Sequence, residues 1–162
     1  MTLETALERL LTAYERYYDI NREDPLPPFA AEAVFRLHDE EYFLIKSAKV
    51  AEQDSYEYVF FATVPELDEA KAAEWADLVW EECLRRTDPK PNHRNTDAHL
   101  IILCEKMTEG ARKTISGTNP YKSYRLGLRG WSTLKLIAYE ISEGSIVHNR
   151  RGESLKKLIS NI

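Results

Sequence analysis

With 162 residues, 43% of them apolar and 30% charged, the chain is long enough to close one hydrophobic core and too apolar to stay disordered. Its longest apolar run, residues 100–104, is far too short to span a bilayer, and its start (Thr2, Glu4, Glu8) lacks the basic and apolar regions of a signal peptide. Two cysteines far apart in sequence, Cys83 and Cys104, argue against a disulfide scaffold and point to buried, reduced thiols in a cytoplasmic protein.

Leu3, Ala6, Leu7, Leu10, Leu11, Tyr14, Tyr17 and Tyr18 recur at three- and four-residue spacing, tracing one face of a first helix capped by Thr2. Pro25, Pro27 and Pro28 make residues 24–28 a linker. From residue 33 the period changes to two and the composition to aromatic and β-branched residues. Residues 34–37, 42–50 and 56–63 therefore read as an antiparallel meander with short polar breaks. A long helix is expected over residues 67–86, its stripe formed by Ala72, Trp75, Ala76, Val79, Trp80 and Cys83, with acidic first-turn and basic last-turn residues that complement the dipole.

Residues 87–97 read as a polar loop, residues 98–104 as a central strand buried on both faces, and residues 108–116 as a short helix stopped by Gly117. Residues 121–128 and 133–141 form a hairpin around Gly130, Trp131 and Ser132; residues 145–149 add a short strand and residues 153–159 a closing helix. The chain thus reads as one α+β domain over residues 1–162, with a mixed sheet and the element order α-βββ-α-β-α-βββ-α.

That opening order, α-βββ-α-β, has a loose similarity to the core of the PD-(D/E)xK nucleases, which hold Mg²⁺ with two carboxylates and use a lysine beside them. Asp39 and Glu41 stand before the second expected strand and Glu57 begins the third, but Glu57-Tyr58-Val59 carries no lysine. The literal matches, Glu69-Ala70-Lys71 and Asp88-Pro89-Lys90, fall on a helix surface and in a loop. Lys46 and Lys49 could serve only by migration from the neighbouring strand. A metal-dependent nuclease, or a degenerate relative, is therefore the alternative reading and a non-enzymatic domain the leading one. His38, His93, His99 and His148 lack ligand spacing, the cysteines are not paired in the zinc manner, and no glycine-rich phosphate loop is present, so neither metal nor cofactor is expected.

Two features keep functional weight. The net charge of −5 conceals a polarity: residues 1–110 carry 12 Lys and Arg against 24 Asp and Glu, while residues 111–162 carry 10 against 3. Within the basic part, Lys122, Arg125, Arg129 and Trp131, extended by Arg150 and Arg151, offer a surface for an anionic partner: phosphate, nucleic acid or an acidic protein. The bland alternative is that the two parts complement each other's field. The second feature is aromatic density on Tyr42, Phe43, Tyr56, Tyr58, Phe60 and Phe61, whose outer face needs cover from helices or from a second copy in a homodimer.

The runs Tyr42-Phe-Leu, Lys46-Ser-Ala-Lys49, Glu57-Tyr-Val-Phe-Phe61 and Leu126-Gly-Leu-Arg-Gly-Trp131, with the basic turn Asn149-Arg-Arg-Gly152, resemble an uncharacterised family of small bacterial proteins across nearly the whole chain. The resemblance implies a bacterial cytosolic domain and transfers no activity or site. The expectation is a binding or regulatory domain with a basic C-terminal surface and no membrane association.

Overall fold

The computed structural model describes residues 1–35 and 54–162. Helix α1 (Leu3–Tyr14) opens at Thr2, whose hydroxyl accepts the Thr5 N–H, and buries Ala6, Leu7, Leu10, Leu11 and Tyr14 along one stripe. It ends before the last tyrosines of that period, because Tyr18 opens strand β1 (Tyr18–Asn21) instead. Long-range contacts decide this: the Tyr18 ring meets Tyr14 and Phe35 edge-on, and its hydroxyl donates to Glu57. Strands β2 (Ala31–Phe35) and β3 (Asp54–Leu67) complete an antiparallel trio. The expected strand over residues 42–50 lies outside the described residues, as do residues 36 and 37 of the one before it.

Helix α2 (Glu69–Arg86) starts where Asp68 accepts the Lys71 N–H and carries the chain across to β4 (His93–Met107), which runs parallel to β3. Helix α3 (Glu109–Gly117), capped by Thr108, makes a second crossover. Strands β5 (Tyr121–Ser123), β6 (Trp131–Glu140) and β7 (Ser145–His148) follow, then a 3₁₀ turn (Arg151–Leu155) and helix α4 (Lys156–Ser160). Among the described residues the element order is the one expected from sequence, with β1 a strand that the sequence did not show.

The strands line up as β1-β2-β3-β4-β6-β5, with β4 parallel to both of its neighbours. Strand β7 also pairs with β6. Since β4 occupies one edge of β6, β5 and β7 share the other: β5 takes the start of β6 and β7 its end. The central strand is β4, where Ala98, Leu100, Ile101, Ile102, Leu103 and Cys104 are all buried.

Alternation along the strands sends side chains to two cores. On one face Phe60, Ala62, Val64, Ala98, Leu100, Ile102, Leu134 and Leu136 pack under α2 and α3. On the other Val59, Phe61, Ile101, Leu103 and Ile137 pack under α1 and α4. Both faces of β3 are thus covered within one chain. The sheet is tied to its helices by half-buried ion pairs. Arg86 of α2 bonds Glu32 of β2 at 2.7 Å, and Arg112 of α3 bonds Glu140 of β6 at 2.7 Å. Among the described residues no helix is long and apolar enough to cross a membrane.

Candidate functional site

The hairpin expected to run to residue 128 leaves strand geometry after Ser123. Arg125 and Leu126 take left-handed backbone angles (φ 49° and 55°), as does Gly127 (φ 88°), so the alternation that would have aligned Arg125, Gly127 and Arg129 on one strand face does not occur. The result is a closed loop over residues 124–130. Tyr124 N–H donates to Gly130 O at 2.9 Å, and Arg129 N–H and Gly127 N–H both donate to Tyr124 O. Its base is anchored by His93, whose Nδ1 lies 2.7 Å from Arg129 O, and by Gly130, where a Cβ would stand 2.0 Å from Arg94 O. Only glycine fits there.

The loop tip is apolar and exposed: Leu126 is 100% accessible and Leu128 82%. Arg125 and Arg129 flank it, and Trp131 lines an open recess of about 390 Å³ at its base with His93 and Gly130. The remaining cations surround the β5 edge without forming one face. Lys122 lies over the Tyr124 ring on the side of Ser132, whereas Arg151 lies over Tyr121, which shares a face with Thr133. Arg150 is exposed, its backbone N–H donating to Asn119. Elsewhere cations meet carboxylates, as in Arg22–Glu8, Arg85–Glu82, Arg86–Glu32 and Arg112–Glu140. Among the described residues none of Lys122, Arg125, Arg129, Arg150 and Arg151 does so.

A second constellation lies on the sheet face under α1, at the end where the strands begin. The register places Ser55, Asn95, Trp131 and Ser123 side by side in one row and Glu57, Asp97, Thr133 and Tyr121 in the next. Val59, His99 and Lys135 form the third. Asp97 accepts from Asn95 Nδ2 at 3.0 Å and from the Thr133 hydroxyl, Asn95 Oδ1 accepts from Ser55 at 2.8 Å, and Glu57 accepts from Tyr18. Burial first, and the Glu57 carboxylate second, push the Tyr18 phenol up. His99 is 2% exposed and, among the described residues, neither ring nitrogen has a hydrogen-bond partner. Burial, reinforced by Lys135 and opposed by Asp97, pushes its imidazole down to about 3, so it is neutral.

Of the expected nuclease residues, Glu57 is in these rows; Asp39, Glu41, Lys46 and Lys49 lie outside the described residues. Asp97, Thr133 and Lys135 went unnoticed in the sequence, and His99 drew attention there only as a histidine without metal-ligand spacing. The available signal was the alternation of Asn95, Asp97 and His99 just before the apolar run of β4. Among the described residues no three His, Cys, Asp or Glu side chains are gathered closely enough to hold a metal ion. Cys83 and Cys104 are buried and unpaired. Burial raises their thiols to about 11 and about 12, Asp97 and Glu140 adding to the effect, so neither is a nucleophile at neutral pH.

No curated protein and no solved structure matches the chain. Residues 2–161 match the model of a family described as a domain of unknown function, DUF8052. With nearly the full length covered, the chain belongs to the DUF8052 family.

Proposed function

We propose that the chain is a non-enzymatic docking domain of the bacterial cytoplasm, which binds an acidic, partly apolar segment of a partner protein through loop 124–130. The observation that carries this reading is the exposure of Leu126 and Leu128 between two arginines that meet no carboxylate among the described residues. Holding two non-glycine residues in left-handed geometry costs on the order of 1 kcal/mol each. Nothing in the chain's own packing is gained by it, since the leucines touch solvent. Burying both against a partner is worth about 3 kcal/mol or more, and the arginines steer an anionic partner into register.

The same features favour a protein over nucleic acid, which rewards cations at its phosphates and stacking rings at its bases rather than leucines. The two unpaired, buried cysteines support the reduced compartment. The test is selection from a displayed peptide library, with Trp131 emission as the readout. Enriched peptides should combine Asp or Glu with apolar residues, and the Leu126→Ser/Leu128→Ser double variant should lose about a hundredfold in affinity. Salt-dependent binding to single- or double-stranded nucleic acid that survives the leucine replacement would instead identify an anionic backbone as the partner.

A further inference from the structure

Glu57 and Asp97 are register partners on adjacent parallel strands and project from the same face. Like charges directly opposite on a sheet destabilise it, the more so when water is partly excluded. Among the described residues no Lys or Arg side chain forms an ion pair with either. Among the described residues their oxygens are held by neutral donors: Asn95 and Thr133 on Asp97, and Tyr18 on Glu57. The carboxylates are therefore positioned but, among the described residues, not neutralised.

One step along β4, on the same face as Asp97, stands His99. A buried imidazole with two unpartnered nitrogens is a rare and costly arrangement. Being neutral, it offers one acceptor and one N–H donor. Directly across from it on β6 is Lys135. Along this end of the face the sheet thus presents two anions, then an acceptor and a donor, then a cation.

We propose that this face binds a small zwitterionic amine, of the α-amino-acid type. An ammonium group has three donors, and Glu57, Asp97 and the acceptor nitrogen of His99 supply three acceptors. The adjoining carboxylate of the ligand meets the His99 N–H and the Lys135 ammonium. A metal ion fits less well, because it needs donors at about 2.0–2.3 Å, and among the described residues no three His, Cys, Asp or Glu side chains are grouped to hold one. An ammonium is satisfied at about 2.7–2.9 Å. The site is separate from the loop tip, so the two readings fail independently.

The experiment is a thermal-shift and calorimetric titration of the whole chain with the proteinogenic amino acids, cadaverine, acetate, Zn²⁺ and Mg²⁺. At least one free amino acid should raise the melting temperature at millimolar concentration, more than cadaverine or acetate does. Asp97→Asn and Glu57→Gln, both isosteric, should each weaken that binding about tenfold or more. His99→Leu should melt no lower than wild type yet lose the ligand, a combination that a purely structural histidine does not produce. Should one variant fail to fold, the other two decide. The proposal is overturned if no amino acid shifts the protein, if cadaverine binds as tightly, if both carboxylate variants retain full affinity, or if only the metal ions stabilise it.

Discussion

His99 ties folding to pH in a direction that can be measured. In the unfolded chain its imidazole titrates near the ordinary 6.5, while in the folded chain burial and Lys135 hold it down to about 3. Between those values the unfolded state carries the extra proton. The associated stability is fully present above pH 6.5 and is lost as pH falls toward the folded value, at up to about 1.4 kcal/mol per pH unit. Urea denaturation from pH 7 to 5 should therefore show a steeper decline for wild type than for His99→Leu; parallel declines would disprove the assignment. The cysteines make a complementary case. With thiols raised to about 11 and about 12, Cys83 and Cys104 should not react with a disulfide reagent at pH 8 until the chain is denatured, and both should then react. Thiol release by the folded protein would contradict their burial. Their behaviour was legible in the sequence, since Cys83 sits on the apolar stripe of a helix and Cys104 ends an apolar strand. That of His99 was not, because Val59 and Lys135 reach it only through strand register.

At the level of elements, what could be read in advance was whatever local spacing determines. Helix α2 has its stripe, its Asp68 cap and its basic last turn written in adjacent residues, and it forms as expected. Strand β1 was hidden because Tyr18 is in phase with the α1 stripe, and only distant Phe35 and Glu57 draw it into the sheet. The loop at residues 124–130 was hidden for another reason: no local pattern announces a left-handed arginine and leucine. The turn at Asn149 shows the opposite error. Its basic neighbours attracted the functional reading, yet Asn149 itself is a buried hub. Its Oδ1 accepts from Leu136 and Gly152, and its Nδ2 donates to Thr118 and Leu134 carbonyls. Replacing it with Ala strands several buried backbone groups and should cost about 3 kcal/mol or more. Equilibrium denaturation checks this, and a loss well under 1 kcal/mol would show that water substitutes freely.

For the whole molecule, the layered α/β/α arrangement follows from alternation, and each helix layer has its own apolar face to cover. Removing residues 1–16 should uncover Val59, Phe61, Ile101 and Leu103. The shortened chain should bind a hydrophobic dye and self-associate in sedimentation; a soluble monomer without dye binding would mean that α1 is dispensable cover. The polar rows were out of reach of sequence reasoning at this scale, since Glu57 and Asp97 face one another only through the β3–β4 register. The edge of β6 carries one more implication. Between β5 and β7, the backbone groups of Leu134 and Leu136 are met by Asn149, whose N–H and side-chain amide complete the ladder in place of a strand. A gap there would be an invitation for another chain to add itself as a strand. One carboxamide closes the sheet against its own polymerisation, which makes Asn149 a guardian of solubility as well as of fold.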